Sequence, residues 1–219
     1  MSMYTVKELF PTLQGEGAHS GRAAIFCRFA GCNLWSGREE DRSSAVCQFC
    51  DTDFVGSDGE GGGKFNNADL LADAIEASWV GTLAGPQQRY VVFTGGEPLL
   101  QLDKALIDAL HIKGFTIAIE TNGTIKVPVG IDWVCVSPKA GAELVVLQAD
   151  EIKLVIPQAG HDKLESLLAR FERMDYQNRF LQPMDGPNAK ENMELSVRLC
   201  QKRPLWRLSI QTHKMIGIR

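Results

Sequence analysis

Three of the six cysteines, Cys32, Cys47 and Cys50, fall within nineteen residues, and the last two form Cys47-Gln48-Phe49-Cys50. Two thiolates at that spacing can chelate one metal centre while a loop delivers the third. Three protein ligands on a tetrahedral ion or on an iron–sulfur cubane leave one coordination position open, and an open position is what catalysis requires. Clustered thiols in a chain without an export signal point to metal or redox chemistry before structural disulfides. On spacing alone a structural zinc completed by His19 or His213 is an equal reading. Cys27, Cys135 and Cys200 sit in apolar contexts and read as small hydrophobes.

Other reactive side chains stand at the ends of apolar runs. Thr94-Gly95-Gly96-Glu97-Pro98 follows one such run. Two residues without side chains let backbone carbonyls approach a ligand ammonium, and Glu97 offers a carboxylate to the same cation. Glu120 closes an otherwise apolar run, so its carboxylate should face a site or a partner. Arg28 alternates in direction with Cys27 and could present a planar fork to a carboxylate, or form an ordinary salt bridge.

These residues need a scaffold that brings strand ends together. Ala24–Phe29, Tyr90–Phe93, Thr116–Ile119, Trp133–Val136, Ile152–Ile156 and Phe180–Leu181 read as strands. Helical spacing appears over Asn67–Trp79, Leu102–Lys113, Asp162–Arg173 and Ala189–Lys202, with Asn67 as a cap. Strands alternating with helices imply parallel pairing through right-handed crossovers, an α/β layer or partial barrel with ligands at the strand carboxyl ends. The glycine-rich Val55–Lys64 fails as a nucleotide loop and reads as a flexible loop. The polar insert after Cys32 reads as a solvated loop or short helix.

At 219 residues, with 44% hydrophobic and 23% charged residues, the composition is that of one globular domain. A net charge of -4 offers no general attraction to phosphate backbones or anionic lipid. No apolar run approaches membrane-spanning length and no leader pattern opens the chain. A soluble cytoplasmic protein acting directly on neither nucleic acid nor membrane is expected.

Arg28-Phe29-Ala30-Gly31-Cys32-Asn33-Leu34, Cys47–Thr52 and Phe93-Thr94-Gly95-Gly96-Glu97-Pro98, taken in order, resemble the radical S-adenosylmethionine superfamily. Its usual Cys-x-x-x-Cys-x-x-Cys is here interrupted by Trp35–Val46. Phe10–Gly17, Cys50-Asp51-Thr52, Glu120-Thr121-Asn122-Gly123, Ser137-Pro138-Lys139, Gln182–Pro187 and Ser209–Lys214 narrow the resemblance to the 7-carboxy-7-deazaguanine synthase family, nearly end to end.

That resemblance implies a modified partial (β/α) barrel over residues 1–219, with a cluster-binding insert at about 33–64 and a substrate-capping tail at about 205–219. It implies ring contraction of 6-carboxy-5,6,7,8-tetrahydropterin to 7-carboxy-7-deazaguanine with loss of ammonia. Cys32, Cys47 and Cys50 would hold a [4Fe-4S] cluster, Thr52 would bind Mg2+, and S-adenosyl-L-methionine would lie against Gly95, Gly96, Glu97, Ser137, Pro138, Lys139, Gln182, Pro183, Met184 and Asp185. The pterin would meet Leu13, Gln14, Gly15, Glu16, Arg28, Thr94, Glu120, His213 and Arg219, the last through its carboxylate. An electron donor such as flavodoxin and a homodimer are implied in the same way. A glycyl-radical-activating enzyme would share the cluster and Gly-Gly-Glu-Pro motifs but would not need the Gln14, Glu16 and His213 set. A non-catalytic zinc-stabilised module is the alternative from outside enzymology.

Overall fold

Why one end of this molecule collects so many charged side chains follows from how its strands alternate. The computed structural model describes residues 3–79, 88–158 and 161–219. The strands are β1 (Tyr4–Leu13), β2 (Ala23–Phe29), β3 (Gly63–Phe65), β4 (Arg89–Gly95), β5 (Phe115–Thr121), β6 (Trp133–Val136), β7 (Gln148–Ile156), β8 (Asp175–Pro183) and β9 (Arg207–Leu208). They form one sheet in the order β3-β1-β2-β4-β5-β6-β7-β8-β9. From β2 to β9 all neighbours are parallel, while β1 runs antiparallel to both β2 and β3. The helices are α1 (Ala68–Ala77), α2 (Lys104–Ile112), α3 (His161–Glu172), α4 (Ala189–Lys202) and a short α5 (Thr212–Ile216). This is the α/β partial barrel expected for strands joined by helical crossovers.

One parity of each parallel strand faces the helices. Leu71, Ile75, Leu106, Ile107 and Leu110 of α1 and α2 pack on Ile25, Phe29, Val91, Phe93, Ile117 and Ile119. Leu164, Leu168, Phe171 and Leu199 of α3 and α4 do the same over Ile152, Leu154, Ile156 and Leu181. The opposite parity carries Arg28, Thr94, Glu120 and Lys153 toward the concave face, above a small apolar floor of Ala24, Tyr90, Val92 and Ala118. Both early helices start where the sequence offers a cap: Asn67 accepts from Leu70 N at 2.9 Å, and Asp103 accepts from Leu106 N at 3.1 Å.

One expectation is corrected. Val55–Lys64 is not a loose loop: Gly59 N donates to Lys7 O, Leu9 N donates to Glu60 O, and Gly63–Phe65 pairs with β1. Its glycines serve close approach, since a Cβ on Gly62 would stand 2.3 Å from Lys7 O. The ten-residue β1 had no counterpart in the sequence reading. The insert after Cys32 does contain a short 3-10 turn, Glu39–Ser44. Among the described residues no helix is long and apolar enough to cross a membrane.

Candidate active site

A cavity of about 650 Å³ opens at the carboxyl ends of the parallel strands. Parallel register puts Arg28 of β2 beside Thr94 of β4, so two side chains 66 positions apart share one wall. Arg28 Nε donates to Glu8 Oε1 at 2.7 Å. Its two Nη groups have no acceptor among the described residues, which leaves the end of the guanidinium fork for an incoming anion.

Lys153 is almost wholly buried in the cavity wall, its side chain 4% exposed. Its Nζ lies 2.5 Å from Glu16 Oε2 and 2.5 Å from Glu120 Oε2. The second oxygen of each carboxylate is also occupied: Gln14 Nε2 donates to Glu120 at 3.1 Å and Gln211 Nε2 donates to Glu16 at 2.8 Å. Gln14 Oε1 in turn accepts from Glu16 N, which fixes the direction of its amide. Burial pushes the Glu16 carboxyl up, but the charge and hydrogen bond of Lys153 outweigh it, with help from Gln211, and hold it at about 2. Burial likewise opposes the Lys153 ammonium, yet Glu120 and Glu16 drive it well above the usual lysine value.

His213 of α5 lies against Gly15, where a Cβ would stand 2.1 Å from Nδ1, so only glycine admits the ring. Burial pushes its pKa down against the pull of Glu16. Thr212 locks this contact with N–H and hydroxyl bonds to Gly15 O at 3.0 and 2.7 Å. At the end of the tail, Thr12 Oγ1 donates to the main-chain oxygen of Arg219, whose guanidinium reaches Glu60 at 2.8 Å. Lys214 bridges Asp51 at 2.9 Å and Asp185 at 2.6 Å.

All six cysteines are free thiols. Cys47 and Cys50 line the cavity side by side, and their mutual influence together with burial separates them, Cys50 lowered to about 6 and Cys47 raised. Cys32 lies behind the lining, its Sγ accepting from Leu34 N at 3.4 Å, and burial raises its thiol. Gly96 explains its proximity to β4: a Cβ there would meet Gly31 O at 2.2 Å and Cys32 Cβ at 2.6 Å. Among the described residues no three His, Cys, Asp or Glu side chains converge as a metal site. The three thiols are unbridged, with Cys47 and Cys50 on the cavity wall and Cys32 packed against Gly96, and thiolate sulfur is the donor type that iron–sulfur clusters take. Lys139 lines the same wall and donates to Ser137 Oγ at 2.7 Å; burial lowers its ammonium while Cys47 and Cys50 pull it back up. Thr52 lines the cavity between Asp51 and Asp53, which are paired with Lys214 and Lys7.

Most residues expected from sequence line this one cavity, including Leu13, Gly95, Gln182, Pro183, Met184 and Asp185. Cys32, Glu97 and Pro138 do not. Glu97 is fully buried, and its carboxylate accepts from Thr121 Oγ1 at 2.7 Å, Asn122 N at 2.8 Å and Leu99 N at 3.0 Å. It therefore ties β4 to β5, and burial raises its pKa. Pro138 contributes its carbonyl to Gln158 Nε2. Sequence reasoning missed Lys153, Gln211, Glu8 and Lys214. The available signal was Lys153 itself, a cation inside the apolar run Ile152–Ile156.

Compared with known proteins, the chain is 59% identical over 215 residues to 7-carboxy-7-deazaguanine synthase of Caulobacter vibrioides, covering 98% of this chain and 99% of that protein. It is 60% identical over 215 residues to the protein of the same name from Bordetella pertussis, with the same coverage. The crystal structure of QueE from Escherichia coli superposes with a TM-score of 0.69 at 31% identity, covering 96% of this chain and 95% of that one. No protein-family model matches the chain.

Proposed function

The chain belongs to the 7-carboxy-7-deazaguanine synthase family, and from that premise we propose that it converts 6-carboxy-5,6,7,8-tetrahydropterin to 7-carboxy-7-deazaguanine with release of ammonia, a step toward queuosine and other deazapurines. The observation that carries this reading is end-to-end similarity to proteins of that name, over 98% of the chain. The cavity supplies a physical counterpart, with a cation for a carboxylate at one side and acceptors for an amino-pyrimidine edge at the other.

In this reading Cys32, Cys47 and Cys50 hold a [4Fe-4S] cluster. When bound, the cluster and S-adenosyl-L-methionine supply a carbon-centred radical that removes hydrogen from the pterin. The protein's residues bind, orient and shield. Arg28, braced by Glu8, takes the substrate carboxylate on its open Nη pair. Glu16, Glu120 and Gln14 receive the pterin's N–H groups, with Thr94 beside them. Thr52 offers a hydroxyl oxygen to Mg2+, a hard cation that keeps several waters. Gly95 and Gly96 give the cofactor backbone atoms at the strand end, their missing side chains being what admits Phe29, Gly31 and Cys32 behind them, and Ser137, Lys139, Gln182 and Met184 complete its wall. His213 and the tail close the mouth against solvent, which protects a reactive radical from quenching. An external one-electron donor of the flavodoxin type and a homodimeric assembly belong to the same proposal.

The test is anaerobic turnover. Reconstituted protein is given reductant, S-adenosyl-L-methionine, Mg2+ and 6-carboxytetrahydropterin, and 7-carboxy-7-deazaguanine is followed by mass-resolved chromatography. Product is expected, and it should vanish in Cys32→Ala, Cys47→Ala and Cys50→Ala. Cleavage of S-adenosyl-L-methionine without product would overturn the substrate. Neither activity from a fully loaded cluster would overturn the chemistry as well.

A further inference from the structure

Resting on the pterin reading above, we infer that Lys153 is a positioning residue that keeps the paired carboxylates of Glu16 and Glu120 on this cavity's wall as acceptors only, and so selects a 2-amino-4-oxo pyrimidine edge over a 2,4-dioxo one. Three separate elements meet at its ammonium: β7 through Lys153, β5 through Glu120, and the turn after β1 through Glu16. Every contact to the two carboxylates comes from a donor, namely Lys153 Nζ, Gln14 Nε2 and Gln211 Nε2. A carboxylate offers about four lone-pair directions, so each retains acceptor capacity. Their side chains keep 15% and 18% exposure, and both line the cavity. A guanidine-like edge, with an amino group beside a ring N–H, supplies two donors to such a surface. Replacing the amino group by a carbonyl sets oxygen against oxygen, which is where polar sites discriminate most strongly.

The selectivity depends on Glu16 remaining ionised. Of the groups that face it, Cys135 of β6 and Glu151 of β7 supply no cation; both thiol and carboxyl are pushed up by burial. Lys139 is committed to Ser137, and His213 is held below its ordinary pKa by burial. Without the Lys153 charge, burial becomes the dominant influence on Glu16 and moves its pKa upward. A protonated Glu16 can donate, and a C2 carbonyl then becomes acceptable.

Binding of two unreactive aromatic probes, 6-carboxypterin and 6-carboxylumazine, to cluster-loaded protein from pH 5.5 to 7.5 tests this, followed by probe fluorescence. Wild type should prefer the pterin by about tenfold or more, a preference independent of pH in this window. In Lys153→Met the preference should collapse at the acid end and return as pH rises; Lys153→Arg should keep it flat. Glu16→Gln, whose amide both donates and accepts, should lose the preference at every pH, and it decides the matter if the Met variant does not fold. Wild type that binds neither probe would overturn the substrate reading together with this inference. Variants that load cluster normally and keep the wild-type, pH-independent preference would overturn the inference alone.

Discussion

Glu16 owes its low pKa to a partner that exists only in the folded chain, which ties its ionisation to stability. Its ordinary value of 4.5 falls to about 2 on folding, with Lys153 outweighing burial. A carboxyl whose folded pKa is depressed stabilises the fold above its unfolded pKa, and that stability is lost as pH falls from about 4.5 toward about 2. The full contribution is on the order of 3 kcal/mol at neutral pH. Glu16→Gln should therefore be clearly less stable than wild type at pH 7, and the gap should narrow as urea unfolding is repeated at pH 5, 4 and 3. A gap that stays constant with pH would assign the loss to shape instead of charge. Much of this site was legible in sequence because its residues are conspicuous as types: clustered thiols, paired glycines, and carboxylates or cations closing apolar runs. The role of Glu97 was not, because which way a carboxylate turns depends on neighbours such as Thr121 and Asn122 on another strand. Lys153 looked like a polar interruption for the same reason: its partners lie 33 and 137 positions away.

At the scale of elements, the parallel strands other than β9 and the four longer helices announced themselves through apolar runs and 3.6-residue spacing, and Asn67 marked one helix start. β1 stayed hidden because a register irregularity between Val6 and Glu8 breaks its alternation. Val6 and Leu9 both enter the core, while Glu8 and Phe10 reach the cavity. Pro11 within the run further weakens a strand reading, although an antiparallel strand near the sheet edge tolerates it. Glycine-rich residues 55–64 were misread for a related reason: composition cannot separate glycines needed for freedom from glycines needed for proximity. Gly62→Ala distinguishes the two. Its Cβ would meet Lys7 O at 2.3 Å and Gly59 O at 2.9 Å, both backbone atoms that have no rotamer to yield. The substitution should cost about 1–3 kcal/mol in denaturant unfolding, whereas an unconstrained loop would tolerate alanine or gain slightly from it.

Across the whole molecule, the tail joins parts of the chain that the sheet alone leaves apart. Lys214 spans from Asp51, beside the cysteine loop, to Asp185, beyond β8, and so closes the two ends of the cavity wall on each other. The three side chains are 40%, 58% and 47% exposed, a setting in which ion pairs contribute at most about 1 kcal/mol and are screened by salt. Global stability should accordingly be almost indifferent to Lys214→Ala, with a melting temperature close to wild type. The mouth of the cavity should not be. Burial on the tail side depends on α5 staying seated, since His213 packs against Gly15 only while Thr212 and Lys214 hold the helix in place. Lys214→Ala should raise KM for the pterin severalfold while kcat changes little, and added salt should move wild-type KM toward the variant value while leaving the variant nearly unchanged. A variant with wild-type KM at low ionic strength would show that backbone bonds at Gly15 alone keep the tail closed; a large drop in melting temperature would instead make Lys214 part of the fold's support.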